Sequence, residues 1–457
     1  MQKKEQRTVP LVTDTMKADL RKKFSHILQE VHTESAQSML PVVRAIHRKR
    51  DRFLTIAHEH DTPCFVLDDE ALEHALTSFT KEFSRAIPDI SAYFAVKVND
   101  HPHVLRTIVK HGYGLDVSSE RELRLALNAK AKRIIYTGPA KTHQGLTLAC
   151  KHASRVIIHM DSFRELELLA EVAATHHRTI NTGIRITSAK KWNKFGIPLN
   201  ELRRFYDIAR AHKHINLCGI QVHQSWNTDA QPYVETMHSV AEYLQANFSQ
   251  EELAGILFYD FGGGFVPDAT EGEYPWYPPQ GKVVQAIYEY FDTPAPFPYK
   301  HHTFRSTSLH DYAQGIALGI DTHLRPLLPN ATYLTEPGRI IADSAMHVLL
   351  RIADRKDGLV IVDGGMNMIG YERFEDEYFP IINITHPSTK EIDTMIYGSL
   401  CMMQDRWGYS CFASRLEIGD LIVVPNQGAL TYSLAQDFIH GKPPVYTLPR
   451  TQARKEI

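Results

Sequence analysis

Apolar and polar residues alternate along most of the chain in a repeating order. From residue 91 onward, short β-rich runs are each followed by a stretch with apolar residues at helical spacing, such as HVLRTIVKHG and FRELELLAEVAA. The eight strand candidates are residues 92–98, 114–117, 133–138, 155–161, 182–187, 217–223, 255–261 and 331–337. Strands that alternate with helices indicate a parallel sheet, and eight such units predict an α/β fold with a closed TIM-like (β/α)8 barrel over residues 91–340. An open doubly wound sheet is the alternative.

The pattern changes on both sides of this barrel. Residues 1–60 are charged, with apolar residues at helical spacing, and predict a helical extension that caps the main body or packs on a partner subunit. Runs such as HVLLRIA and DLIVVPNQG predict a C-terminal β-sandwich or β-barrel domain over residues 341–457. The strand-like TPCFVLDD lies in a lead-in segment, residues 61–90, and is expected to join that domain. The aromatic and proline-rich residues 267–305 predict a long loop that could shape a substrate pocket.

Composition and charge narrow the class of protein. The 457 residues carry a net charge of −2, which gives no long-range attraction for nucleic acid or for an anionic membrane. No apolar run approaches the roughly 18 residues of a membrane span, and no apolar signal core begins the chain, so a cytoplasmic location is expected. The five cysteines are scattered, which argues against a disulfide framework and a zinc site, and no metal site is predicted.

Lys97 stands near the end of the first predicted barrel strand, in AYFAVKVND. A lysine in an apolar strand is costly to bury unless it is paired or covalently engaged. The C-terminal ends of barrel strands face the active-site mouth, where a desolvated lysine is a good Schiff-base nucleophile. Lys97 is therefore a candidate nucleophile, and a solvated strand-end lysine is the alternative.

Three consecutive glycines, Gly262, Gly263 and Gly264, follow the seventh predicted strand. Glycine backbone can approach an anion closely, and phosphate sites in barrels often lie after strands seven and eight. After the eighth strand, TEPGR provides Arg339, which suits a phosphate, and Glu336, which could keep a pyridine nitrogen protonated. A tight turn and an ordinary Glu–Arg ion pair are the alternatives.

Four more polar residues lie at strand ends on the same predicted face. His223 ends the sixth strand and could stack on a flat cofactor, although a hydrogen-bonded core histidine is the commoner use; Ser225 follows it. Arg185 on the fifth strand and Asp116 on the second have similar placements. Convergence of these residues on one barrel face predicts a single active site.

The order of motifs along the chain carries a family resemblance. YFAVKVN, GYGLDVSSERELRLAL, IIYTGPAKT, GIQVHQS, DFGGGF, EPGR, VDGGMN and GSLCMMQD follow one another within residues 56–448. In this order they resemble the fold type III decarboxylases that depend on pyridoxal 5'-phosphate (PLP). That group includes diaminopimelate and ornithine decarboxylases, built on an alanine-racemase-like barrel.

The resemblance implies PLP as the cofactor and a role for each candidate. It implies that Lys97 is the Schiff-base lysine, that Glu336 faces the pyridine nitrogen and that His223 stacks on the ring. The remaining implied cofactor contacts are Asp116, Arg185, Ser225, Gly262, Gly263, Gly264 and Arg339. Cys401 in GSLCMMQD matches a catalytic cysteine that acts near Cα across a dimer interface. A homodimer with shared active sites is therefore expected.

The candidate substrate contacts are Asp363, Tyr371, Arg373, Met402 and Asp405. The diaminopimelate enzymes have an arginine where Tyr371 stands, and both they and the ornithine enzymes have an acid where Met402 stands. The usual contacts for a charged distal group are thus partly missing. The substrate is expected to be an amino acid or an amino-acid-derived intermediate, and the ending QDFIHGKPP resembles branches that serve siderophore or other secondary metabolism.

A further departure concerns the phosphate. The family commonly has a tyrosine where Leu430 stands in GALTYS, and Tyr432 is displaced from that position.

Two alternative functions share the expected fold. An amino-acid racemase tends to pair an arginine with the pyridine nitrogen, and Glu336 argues against it. A catalytically inactive homologue acting as a binding partner would be expected to lose cofactor residues, whereas Lys97, the glycines and Arg339 are all present.

Overall fold

Two large sheets organise the chain in the computed structural model, which describes residues 13–29, 36–187, 193–268, 272–274, 279–290, 305–370 and 377–451. The strands are β1 (Cys64–Leu67), β2 (Ile90–Ala95), β3 (Gly114–Val117), β4 (Ile134–Tyr136), β5 (Val156–Met160), β6 (Ile180–Thr187), β7 (Ile197–Pro198), β8 (Ile215–Val222), β9 (Phe258–Asp260), β10 (Gly272–Glu273), β11 (Thr332–Thr335), β12 (Met346–Lys356), β13 (Leu359–Val362), β14 (Glu377–Tyr378), β15 (Ile382–Asn383), β16 (Glu391–Tyr397), β17 (Arg406–Phe412), β18 (Leu421–Val424) and β19 (Val445–Thr447). The helices are α1 (Asp14–Gln29), α2 (Ala36–Arg48), α3 (Arg50–Glu59), α4 (Asp69–Ala86), α5 (Pro102–Lys110), α6 (Glu120–Asn128), α7 (His143–Lys151), α8 (Phe163–Thr175), α9 (Leu202–Arg210), α10 (Gln231–Asn247), α11 (Gln250–Ala254), α12 (Pro279–Tyr290), α13 (Leu309–Gly319), α14 (Arg339–Ala342) and α15 (Thr431–Leu434).

The first sheet is a closed parallel barrel. Its ring order is β2-β3-β4-β5-β6-β8-β9-β11, and the pairing of β11 with β2 completes the circle. Amphipathic helices cover the outside, and several begin at a hydroxyl N-cap; Ser119 and Ser162, for example, accept from the backbone N–H groups of Glu122 and Glu165. The predicted α/β barrel is confirmed.

The first barrel strand ends earlier than the sequence predicts. β2 stops at Ala95, and Val96–Val98 form a 3-10 turn. The strand ladder cannot continue here, because the carbonyl of Val98 accepts from the backbone N–H of Leu430 in the C-terminal region. Val96 and Val98 are buried while Lys97 is exposed, so the lysine stands on a turn at the barrel mouth and not on the strand itself.

The second sheet forms the C-terminal β domain. Its order is β13-β16-β17-β15-β18-β12-β1-β19, and an additional pairing of β13 with β12 closes six of the strands on themselves. The long strand β12 allows this, since its first half pairs with β18 and β1 and its second half with β13. Phe65 of β1 lies between Val348 and Val445. The lead-in strand is therefore an integral part of this sheet.

The helices α2 and α3 pack on the same domain. Met39, Val43, Ile46, Phe53 and Ile56 are buried in one apolar cluster with residues of β1, β12, β17 and β18. An ion pair of 2.5 Å between Lys49 and the buried Asp68 ties these helices to the start of α4.

The segment 267–305 is more ordered than a loop where the structure describes it. It contains α12 and β10, and β10 pairs with β14 of the C-terminal domain. Among the described helices, none is long and apolar enough to cross a membrane.

Candidate active site

Two adjoining cavities open where the barrel strands end. The larger, of about 420 Å³, is lined by Lys97, Asp116, Arg185 and a wall running from Thr137 to Pro139, together with residues 186–187, Asn193 and Phe195. The smaller, of about 160 Å³, is lined by Trp226, Gly264, Gly338, Arg339 and Leu430, among others. Lys97, His223, Ser225 and Glu336 border both cavities. The predicted site residues of the barrel thus meet around one junction.

The glycine cradle, Gly262 to Gly264, follows β9 and lies against two other barrel segments. A Cβ atom on Gly263 would stand 2.2 Å from the carbonyl oxygen of Glu336, and one on Gly264 would stand 1.9 Å from that of Gln224. Gly262 and Gly264 also have left-handed backbone, with φ of +73° and +89°. Only glycine lets the three chain segments approach this closely, and the approach leaves Gly264 at the wall of the smaller cavity.

Glu336 follows β11 and is 4% exposed. Gln221 donates to both of its oxygens, at 3.3 and 3.4 Å, and His223 Nδ1 lies 3.5 Å from Oε2. Burial opposes ionisation, but His223, His159 and Arg185 outweigh it and lower the pKa of Glu336 to about 2. Glu336 is therefore ionised although it is buried.

The pKa values of two buried aspartates beside Glu336 are shifted in the opposite direction. Burial, followed by the charge of Glu336, raises the pKa of Asp116 to about 8 and the pKa of Asp260 well above its usual range. The ionised Glu336 therefore favours the protonated form of both neighbouring aspartates. Asp116 borders the larger cavity, and its Oδ1 has no hydrogen-bond partner among the described residues.

His159, Asp260 and Gln221 are buried polar residues near Glu336 that the sequence analysis missed. His159 Nδ1 lies 3.9 Å from Glu336 Oε1, and its Nε2 lies 4.0 Å from Asp260 Oδ2. Burial lowers the pKa of His159 to about 3. The only sequence signal for His159 was its position as a polar residue in the otherwise apolar run VIIHM.

His223, Ser225 and Arg185 line the larger cavity. His223 Nδ1 accepts from the backbone N–H of Gly263 at 3.2 Å, and its Nε2 faces Ser225 Oγ at 3.4 Å. Burial lowers the pKa of His223. The Arg185 guanidinium lies 4.4 Å over the Phe195 ring and 3.8 Å from Asp161. These contacts fix both side chains at the wall of the larger cavity.

The smaller cavity has an arginine at one end. The Arg339 guanidinium lies 4.6 Å over the ring of Trp226. Leu430 lines the cavity, whereas Tyr432 packs edge-on against Phe65 and His101. The apolar Leu430 therefore occupies the place where the resembling family commonly has a tyrosine.

The predicted residues of the C-terminal domain are not brought to these cavities within one chain. Neither Cys401 nor Met402 is among the described residues that line them, and the Cys401 side chain is exposed. Asp363 borders a separate cavity of about 340 Å³ next to Thr62 and Lys442. Tyr371 and Arg373 lie outside the described residues.

The prediction that Asp405 contacts the substrate is not supported. Its side chain is buried, with 1% exposed. One oxygen accepts from the backbone N–H of Met366 and the other from that of Leu400, both at 2.7 Å. Both oxygens are thus used to fold the loop that carries Cys401, which leaves them unavailable to a ligand.

The residues present fit the cofactor that the resemblance implies. The larger cavity places an amine, on Lys97, and an ionised buried carboxylate, on Glu336, at one junction, as an aldehyde and a pyridine nitrogen require. The smaller cavity is lined both by Gly264 of the glycine cradle, where a Cβ atom has no room, and by the guanidinium of Arg339. This pair suits a phosphate.

Comparisons with known proteins support the fold and the cofactor. The pyridoxal binding domain of the pyridoxal-dependent decarboxylases matches residues 70–343. A diaminopimelate decarboxylase of Aquifex aeolicus is 25% identical over 404 residues, covering 84% of this chain and 85% of that protein. The L-glutamyl-[BtrI acyl-carrier protein] decarboxylase of Niallia circulans is 26% identical over 426 residues, covering 85% and 89%. The crystal structure of diaminopimelate decarboxylase from M. jannaschii with L-lysine has a TM-score of 0.70 at 22% identity, covering 86% and 89%, which supports the fold alone.

Proposed function

The chain belongs to the pyridoxal-dependent decarboxylases, and from this premise we propose that Lys97 binds PLP while an amino acid or amino-acid-derived substrate loses its α-carboxyl group as CO2. The enzyme is a PLP-dependent carboxy-lyase. The observation that carries the assignment of residues is the position of Lys97 and the ionised Glu336 at the junction of the two cavities.

The side chains divide the work between them. PLP, when bound, supplies an electron sink for the electrons of the broken Cα–carboxyl bond. Glu336 holds a proton at the pyridine nitrogen, because a buried carboxylate with a pKa of about 2 stays charged and attracts a cationic N–H. His223 would stack on the ring and Arg185 would contact the cofactor from the wall of the larger cavity. The glycine cradle, Ser225 and Arg339 would hold the phosphate. Burial and the charge of Glu336 raise the pKa of Asp116 to about 8, which favours its neutral form beside that carboxylate.

Cys401 is proposed to act on the active site of a second copy of the chain, where its thiol or a nearby water returns a proton to Cα. Its exposure, on a loop that Asp405 holds rigid, supports this proposal. Mixing Lys97→Ala protein with Cys401→Ala protein tests it. If sites are shared between copies, the mixture regains decarboxylation that neither variant shows alone. A mixture that stays as inactive as its components contradicts a shared site.

A cytoplasmic location remains a prediction.

The substrate is proposed to have a distal end without a free positive charge. Among the described lining residues, the acids of the larger cavity are Asp116 and Glu336, both assigned to the cofactor, and the lining also includes Thr137, Pro139 and Phe195. Met402 replaces the acid by which the resembling ornithine enzymes hold a distal amine. The similar decarboxylase of Niallia circulans is named for a glutamyl group carried on an acyl-carrier protein, which is an example of an amino acid in conjugated form. We expect faster CO2 release from distally acylated diamino acids than from free ornithine, lysine or diaminopimelate.

Replacement of Lys97 tests the assignment as a whole. Lys97→Ala should abolish CO2 release and also the covalent attachment of PLP after borohydride reduction, because the amine that binds the aldehyde is gone. Lys151→Ala, at the exposed end of α7, is the matched control and should keep both properties. Full turnover by Lys97→Ala with PLP bound would refute the scheme.

A further inference from the structure

Trp226 adopts a backbone conformation that a large side chain rarely takes. Its φ is +63°, in the left-handed region where glycine is the usual residue. Its neighbour Asn227 donates to the carbonyl of Gly264 at 2.9 Å, and Gln224 donates to Thr236 Oγ1 at 2.6 Å. The loop is thus fixed on both sides of Trp226. Strain that the surroundings enforce in this way points to a functional side chain.

The Trp226 ring is directed to the smaller cavity. The Arg339 guanidinium lies 4.6 Å over it, within the range of a cation–π contact. Trp226 also lines that cavity with Gly264, Gly338 and Leu430, while 47% of its surface stays exposed. The indole therefore stands between solvent and the arginine.

We propose that Trp226 is a positioning residue that clamps Arg339 over the phosphate end of the cofactor and shields that end from water. The inference rests on the proposed function, since it assumes that PLP occupies the site. The guanidinium keeps its place because the indole face attracts it, and its contact with a phosphate strengthens when solvent is excluded. The clamp offsets the loss of a hydroxyl contact at Leu430, whose side chain is apolar.

The release of PLP from loaded protein tests the clamp. We expect Trp226→Leu and Trp226→Gly to release PLP about fivefold to thirtyfold faster than wild type, the range of a partly to well desolvated cation–π contact. Trp226→Phe should release PLP at a rate close to that of wild type. Phe163→Leu removes another aromatic side chain from an arginine, Arg204 at 4.9 Å on the outer surface of α8, and should leave the rate unchanged.

A second measurement separates positioning from a merely structural role. Equilibrium binding of PLP should weaken in Trp226→Leu, whereas binding of pyridoxal, which lacks the phosphate, should not. Cofactor-free Trp226→Gly should melt no lower than wild type, because glycine adopts the left-handed backbone without strain. Equal weakening of both ligands, or wild-type release rates in the Leu and Gly variants, overturns the clamp. A wild-type protein that takes up no PLP refutes the proposed function instead.

Discussion

Replacing Gly264 by alanine measures what the glycine cradle contributes. Gly264 and Gly112 have nearly the same left-handed backbone, with φ of +89° and +86°. Alanine should cost about 1–2 kcal/mol at either position from backbone strain. At Gly112 the new Cβ meets nothing within 4 Å, whereas at Gly264 it meets the carbonyl oxygen of Gln224 at 1.9 Å. The two variants therefore differ in the clash alone.

The size of the clash sets the expected result. Reaching the 3.4 Å of an ordinary contact requires the Gln224 carbonyl to move by about 1.5 Å, although hydrogen bonds hold its loop at Thr236 and Gly264. Overpacking of this kind costs about 1–3 kcal/mol. A difference of about 2 kcal/mol lowers the melting temperature of cofactor-free Gly264→Ala by about 2–4 °C relative to Gly112→Ala.

The same movement should disturb cofactor binding. The displaced loop carries His223 and Ser225, so about 1.4 kcal/mol of misfit there raises the dissociation constant for PLP about tenfold. Visible absorbance during titration with PLP measures this constant, and Gly112→Ala should match wild type. Equal melting temperatures and equal PLP affinities in the two variants would refute the argument from close approach.

Three further changes have defined outcomes. Glu336→Gln should lower the turnover number by about 10²–10³-fold at saturating PLP, because a neutral amide no longer attracts the proton on the pyridine nitrogen; unchanged turnover would contradict that role. Asp116 has its pKa raised from about 4 when unfolded to about 8 when folded, so its contribution to the stability of the cofactor-free protein is lost as pH rises through that window. Asp116→Asn should therefore show a smaller loss of melting temperature from pH about 5 to about 8.5, and parallel curves would refute the assignment. Lys141→Met leaves the buried Glu165 without its 2.6 Å partner and should cost about 3–5 kcal/mol in urea unfolding, with partial recovery on adding Glu165→Leu; no recovery would mean that lost packing is responsible.

The barrel and the cavity junction could be predicted because the local pattern of each strand–helix unit is compatible with the same closed barrel. Each strand–helix unit carries its own apolar period, and parallel strands that close bring Lys97, the glycines and Glu336 to one face. The turn at Val96–Val98 could not be predicted, since it depends on a hydrogen bond to Leu430, more than three hundred residues away.

Other parts of the site leave weak traces in the sequence. His159 lies in an apolar run, and only the folded barrel shows that its ring lies 3.9 Å from Glu336. QSWNT gives no indication that Trp226 has left-handed backbone, because the crossing with Gly264 enforces it. The sequence does not indicate that both oxygens of Asp405 accept from backbone N–H groups of its own domain.

The position of β1 has a consequence for synthesis on the ribosome. Phe65 pairs with Val348 and Val445, which are translated roughly 280 and 380 residues later. The barrel strands end at Thr335, so the barrel can assemble before β12 and β19, the two partners of β1, have been synthesised. Until β19 emerges, at least one edge of this apolar strand is unpaired and open to pairing with other chains. Early termination before Val445 should therefore yield aggregation and not a shortened, working enzyme.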